Sequence, residues 1–191
     1  WSRAVTSVPR PDVSISVGAT GRYIRIQLTG TNYLTLAEVQ VFGSEYTPSE
    51  PNAARGKSAV QSSVHGGAEA SRAVDGDIDG TWAAGSLSCT RDQAQPWWEV
   101  DLSDLYEIEA IAIWNRTDGS MERLDDFYVF VSDVAFTSTD LTTTLEQGGV
   151  WSRYVADVPS PERLLSVNRT GRYVRIQLTG TNYLTLAEVQ V

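Results

Sequence analysis

The chain has 191 residues, 41% of them hydrophobic and six of them Trp, with a formal net charge of −9. Such a composition describes a globular chain, and its acidity argues against nucleic acid, which needs basic surface, and against anionic membrane. No stretch reaches the roughly 18 apolar residues of a membrane-spanning helix, so no membrane insertion is expected, and the single cysteine, Cys89, rules out an intrachain disulfide framework.

The first element in chain order is half of a repeat. Trp1 to Val41 recurs as Trp151 to Val191, with roughly three quarters of positions identical. Residues 1–43 therefore read as the C-terminal strands of a preceding repeat. Residues 44–51, polar and carrying two prolines, read as a linker. Residues 52–191 read as one complete repeat from a longer tandem array.

Strand signals dominate. Apolar residues alternate in Tyr23 to Leu28, Trp98 to Leu102, Ile111 to Ile113, Phe127 to Val131 and Tyr173 to Leu178, the period of a half-buried strand. Turn residues separate these runs at Asp118-Gly119-Ser120, Gly148-Gly149, Asn168 to Gly171 and Thr179 to Asn182. The expectation is all-β: an antiparallel β-sandwich of jelly-roll type. The strands of 1–43 have an apolar face that should not persist alone in water. They must dock, exchange with a neighbouring copy, or be completed by a preceding repeat.

Asp75-Gly76-Asp77-Ile78-Asp79-Gly80 places three carboxylates on alternate residues before a glycine, as an EF-hand loop begins. The twelfth position is Ser86 rather than the bidentate Glu of an EF-hand, and no helices flank the loop. An acidic surface turn is the competing reading, since Asp-Gly pairs are ordinary turn formers.

A family resemblance rests on motifs spread over 52–191. They are Asn52 to Lys57, Gln61 to Ser63, Ser71 to Gly76, Gly85-Ser86, Pro96 to Leu102, Asn115 to Asp118, Arg123-Leu124, Gly171 to Ile176 and Leu186 to Val189. In order and spacing they resemble the F-type lectin and discoidin-like group of galactose-binding-domain-like sandwiches. The resemblance implies a structural Ca2+ held by the carbonyl of Arg72, Asp75, the carbonyl of Asp77, Ser86, the carbonyl of Ala187 and Glu188. Mixed carbonyl and carboxylate oxygens of this kind suit calcium. Ala37-Glu38 is the same half-site in the partial repeat.

The resemblance also implies a sugar site of the pattern His…Arg-x-Asp-x4-Arg. Arg116, Asp118 and Arg123 match its second part; guanidinium forks donate to sugar oxygens and Asp118 would hold one fork in place. Cys89 stands at the family's His position, and Gly119-Ser120 replaces its adjacent cysteines. His65 falls near a residue bordering the family's pocket; a solvated loop histidine is the alternative. For the arginines the alternative is a structural salt bridge with Asp118 or Glu122. Trp82 and Trp98 are expected in the core. Asn115-Arg-Thr and Asn168-Arg-Thr fit the N-glycosylation triplet.

Nothing resembles a catalytic constellation, so an enzyme is not expected. Together these readings imply a secreted or cell-surface, calcium-stabilised carbohydrate-binding module repeated in tandem. Its partners would be a fucose- or galactose-containing glycan and neighbouring copies of the repeat. The alternative is a structural repeat of an extracellular fibre or adhesin, assembling by strand complementation around a degenerate sugar pocket.

Overall fold

A computed structural model describes residues 2–6, 8–17, 21, 23–43 and 52–191. The chain divides into two units, Trp1–Ser49 and Glu50–Val191. The linker expected over 44–51 lies outside the described residues.

The second unit is all-β. Its strands are β1 (Ser58–Gln61), β2 (Ser88–Cys89), β3 (Gln93–Ala94), β4 (Trp97–Trp114), β5 (Phe127–Ser132), β6 (Trp151–Val155), β7 (Glu162–Leu178), β8 (Thr181–Asn182), β9 (Thr185–Leu186) and β10 (Glu188–Gln190). One short α-helix, α1 (Leu141–Glu146), follows β5, with the Asp140 carboxylate capping it at the Thr143 N–H, 2.8 Å away. Contrary to expectation the acidic loop is flanked by short helical turns, the 3-10 segments Ala70–Val74 and Trp82–Ala84, and a third covers Met121–Arg123. All ladders are antiparallel: β1-β4-β7-β5-β6 with β10 also on β4, and the two small pairs β2-β9 and β3-β8.

Two long strands carry the sandwich. The first half of β4 pairs with β1 and with the second half of β7, and the second half of β4 pairs with β10 and the first half of β7. Both strands change register midway, between Asp101 and Tyr106 and between Ile108 and Ala110. Ser103 and Asn168 adopt positive φ at these breaks, where the ladder is interrupted. The alternation read from the sequence decides which residues fill the interior: Trp98, Val100, Leu102, Ile111, Ile113, Phe127, Val129, Val174 and Ile176 are all buried. Trp98 is in the core as expected, its Nε1 donating to the Ala70 carbonyl at 2.9 Å.

One buried ion pair crosses this frame. Arg175 on β7 donates from Nε and Nη2 to Glu99 on β4, at 2.9 and 2.7 Å, and its Nη1 reaches the Ser138 carbonyl. Its guanidinium also lies over the Phe136 ring at 4.2 Å, so the cation is enclosed as well as paired.

The first unit differs from expectation. The alternation at Tyr23 to Leu28 predicts a strand, yet among its described residues no strand forms, and Ile24, Ile26, Leu28, Leu34, Leu36 and Val39 are exposed. A strand exists only with a neighbour to satisfy its backbone groups, and the alternation says nothing about whether one is present.

Candidate functional site

The acidic loop is built from its own side chains. Asp75 Oδ1 accepts from the Asp77 N–H at 2.8 Å, Asp77 Oδ1 from the Asp79 N–H at 2.9 Å, and Asp79 Oδ1 from the Thr81 N–H at 2.9 Å. This run of Asx turns curls 75–81, and Ser86 Oγ donates to the Asp79 carbonyl, closing the curl. Asp75 and Asp77 are exposed, whereas Ser86, Ala187 and Glu188 are buried.

Glu188 is the anomaly. Its side chain is fully buried at the start of β10, and Oε2 has no hydrogen-bond partner. Burial pushes its carboxyl up to about 7; the Gly76 N–H opposes this, Asp75 adds to it, and Arg55 and the Asn52 amide offset it in part. A buried carboxylate with an orphaned oxygen, facing a second carboxylate, is electrostatically incomplete, and a hard cation would complete it. Among the described residues no group of three or more His, Cys, Asp and Glu side chains could hold an ion. Any ion here would therefore draw on carbonyls and Ser86 beside the two acids. The residues present fit that requirement.

The acidic loop is tied to the strand end that carries the arginines. The Gly80 carbonyl accepts from the Thr117 N–H at 2.8 Å, and the Trp82 N–H donates to Asp118 Oδ2 at 3.0 Å. A Cβ on Gly80 would lie 2.7 Å from Thr117 and 2.8 Å from the Asn115 carbonyl oxygen, so only glycine permits this approach.

Arg116 and Arg123 sit on the segment after β4. Arg116 Nε donates to Asp118 Oδ1 at 2.5 Å. That bond, with the Trp82 N–H, holds the Asp118 carboxyl below the usual carboxylate range. The Arg116 guanidinium lies 5.3 Å from the Trp82 ring centroid, and that of Arg123 lies 4.4 Å from the Tyr183 ring. His65 joins the two halves: its ring is 5.1 Å from Tyr183, edge-on, and 6.0 Å from Trp82. His65, Trp82, Arg116, Asp118, Arg123 and Tyr183 thus form one partly exposed patch of cations and aromatic faces. A separate concavity is lined by Leu105, Asp133, Trp151 and Arg169, and none of these belongs to the patch.

Two expectations change here. Trp82 is not core; it is half-buried and lies beneath Arg116. Cys89 does not reach the surface: it is fully buried, with Sγ 3.3 Å from the Thr90 carbonyl oxygen and 3.4 Å from Thr185 Oγ1. Burial raises its thiol, while the Thr185 hydroxyl, Arg123 and Arg116 act in the opposite direction, which places both arginines within electrostatic reach. Its link to the patch is through the backbone, where its carbonyl accepts from the His65 N–H at 2.9 Å. Asn115 is also buried, its amide donating to the Met121 and Pro159 carbonyls, so the first glycosylation triplet is engaged in the fold.

Tyr183 was not singled out from the sequence. It lies two residues from Thr185, in the turn between β8 and β9, and nothing in a single sequence joins it to Arg123 some 60 residues earlier.

Residues 72–176 match the family described as "NedA-like, galactose-binding domain". The chain is 34% identical over 152 residues to "Fucolectin-1" of Anguilla japonica, covering 73% of this chain and 78% of the relative. Among solved structures it superposes on a Streptococcus pneumoniae fucose binding module with TM-score 0.67 and 30% identity, covering 77% of this chain and 98% of the module. The lectin domain of Lectinolysin complexed with Lewis B antigen gives TM-score 0.65 and 30% identity, covering 74% and 95%.

Proposed function

The chain belongs to the F-type lectin and discoidin-like group of carbohydrate-binding modules, and on that premise we propose that its second unit binds fucose-containing glycans through Arg116, Arg123 and His65. It is a binding module, not an enzyme. The observation that carries the sugar reading is the patch itself: two guanidinium groups, each backed by an aromatic ring, with His65 between the rings. Guanidinium forks donate to hydroxyl and ring oxygens, and the exposed parts of Trp82 and Tyr183 offer faces to the apolar side of a pyranose. Asp118 fixes one fork before the sugar arrives, which lowers the ordering cost of binding. His65 is the only histidine in the sequence, so it is the only imidazole the patch can offer to a sugar.

Calcium is the proposed cofactor. Asp75, Ser86, Glu188 and the carbonyls of Arg72, Asp77 and Ala187 would hold it, and the bound ion would neutralise the buried Glu188. The orphaned Glu188 oxygen supports this reading. The secreted or cell-surface setting proposed for the protein supplies both calcium and glycans. Tandem repetition would raise weak single-site affinity, because later contacts of a linked array are intramolecular.

The structural alternative draws support from Cys89, which stands buried where the family resemblance places a histidine, so that the patch lacks that imidazole. Titrating the chain with free fucose and with fucosylated oligosaccharides separates the two: a lectin binds them, a spacer binds neither.

A further inference from the structure

The ladder pairing of the second unit has a simple partition. Every strand of the repeated segment pairs only with strands from 52–150: β6 with β5, β7 with β4 and β5, β8 with β3, β9 with β2, and β10 with β4. The sandwich is therefore two interlocking pieces, an opening half (52–150) and a closing half (151–191). Neither half has a strand ladder without the other, apart from β1 with β4 and the contacts of single turns.

Residues 1–41 are a second closing half. From Arg25 to Val41 every residue is identical to its counterpart from Arg175 to Val191. Local geometry is shared too: the Tyr33 N–H donates to Asn32 Oδ1 at 2.8 Å, as the Tyr183 N–H does to Asn182 Oδ1 at 2.8 Å. What differs is burial. Ile26 is 45% exposed where Ile176 is 0%, Leu34 48% where Leu184 is 1%, and Leu36 50% where Leu186 is 0%. Glu38 is exposed where Glu188 is buried. One sequence in two states means that the second state lacks a partner that the first one has, and the first state says what that partner is.

The chain holds two closing halves and one opening half, and its own opening half is filled by 151–191. We propose that the apolar face of residues 24–41 is an interaction surface for the opening half, residues 52–150, of a second copy of the repeat. Pairing would place Ile26 between strands equivalent to β4 and β5, and Leu36 beside one equivalent to β2, restoring the burial seen at 176 and 186. Aspartate at such a position would be a buried unpaired charge, which the pairing does not tolerate.

The pairing has a consequence for the sites, and this part rests on the proposed sugar and calcium reading. Tyr33 and Glu38 are the counterparts of Tyr183 and Glu188. A received tail would thus bring the aromatic face under the partner's Arg123 and the buried carboxylate behind its Asp75. Each junction between copies would carry one sugar site and one calcium site made from both.

The test joins a second copy of residues 52–150 directly ahead of Trp1 in the full chain and follows amide hydrogen exchange. Pairing slows exchange of the amides at 24–28 and 34–36 on the order of a thousandfold, into the range of 174–178 and 184–186. Ile26→Asp in the extended chain restores fast exchange in the tail and leaves 174–178 slow. Tail amides that stay fast in the extended chain overturn the proposal, as does protection that survives Ile26→Asp. Counting fucoside equivalents in the same protein separates the two readings. Two per chain support the shared site, whereas protection with a single equivalent removes the shared site and leaves the pairing.

Discussion

The Arg123 guanidinium lies 4.4 Å from the centre of the Tyr183 ring, joining a residue of the opening half of the sandwich to one of the closing half. The contact orients a cation that would otherwise sample many rotamers, and it leaves the remaining N–H groups for a ligand. Tyr183→Ala is expected to weaken fucoside binding by about 1 kcal/mol, or roughly fivefold, the usual worth of a partly exposed cation–π contact. Calorimetric titration reads this, and unchanged affinity would remove Tyr183 from the site.

Glu188 gives a pH dependence with a definite sign. Its carboxyl is raised to about 7 from an ordinary value of 4.5, so the folded metal-free protein holds that proton more tightly than the unfolded chain. The associated stability is complete below about 4.5 and is lost as pH rises through about 7. In chelator the melting temperature should therefore fall between those pH values, and calcium should reverse the trend near pH 7 by favouring the ionised form. Thermal melts with and without chelator across that window check it. Glu188→Gln should flatten the metal-free profile; a profile unchanged by Glu188→Gln would contradict the assignment.

Gly80 couples the acidic loop to the arginine strand. Gly80→Ala places a methyl group against Thr117 and the Asn115 carbonyl at distances that atoms do not tolerate. The loop must move away, breaking the bond from Thr117 and displacing the Trp82 N–H from Asp118. Both fucoside affinity and the calcium-induced rise in melting temperature should decrease together. Loss of one without the other would show that the two sites are independent.

Much of this was legible in the sequence. The alternation in 98–102, 127–131 and 173–178 identifies which residues line the core, and Arg116, Asp118 and Arg123 lie together on the segment after β4. Trp82 and Cys89 show where one-dimensional reading stops. A tryptophan is expected inside because of its area, but Trp82 stays half-buried, with Gly66 against one edge of its ring and the Arg116 guanidinium 5.3 Å from the ring centroid. Cys89 occupies the position where the family resemblance places a ligand, yet a thiol has no hydration to defend and sinks between Thr90 and Thr185. Tyr183 and the ion pair Arg175–Glu99 depend on strand register between distant segments, which no local pattern encodes.

That ion pair carries stability. Glu99→Ala leaves Arg175 buried without its carboxylate and should cost about 3–5 kcal/mol. Denaturant unfolding measures the loss; a cost below about 1 kcal/mol would mean that the Ser138 carbonyl and the Phe136 ring suffice for the cation.

The buried thiol should be inert in the native protein. Cys89 should resist alkylation at pH 8 until the chain unfolds, because burial raises its pKa and excludes reagent. Cys89→Ala should leave fucoside affinity within about twofold, since a thiol is a weak donor to begin with. Rapid alkylation of the folded chain would show Cys89 to be part of the exposed site.

The most direct test of the sugar site is calorimetric titration of a fucosylated oligosaccharide into the full chain and into Arg116→Ala and Arg123→Ala, each with its melting temperature. The sugar site as assigned predicts saturable binding by the parent chain, loss of binding in both variants, and melting temperatures nearly unchanged. Absence of binding by the parent chain, or variants that bind as it does, would contradict it.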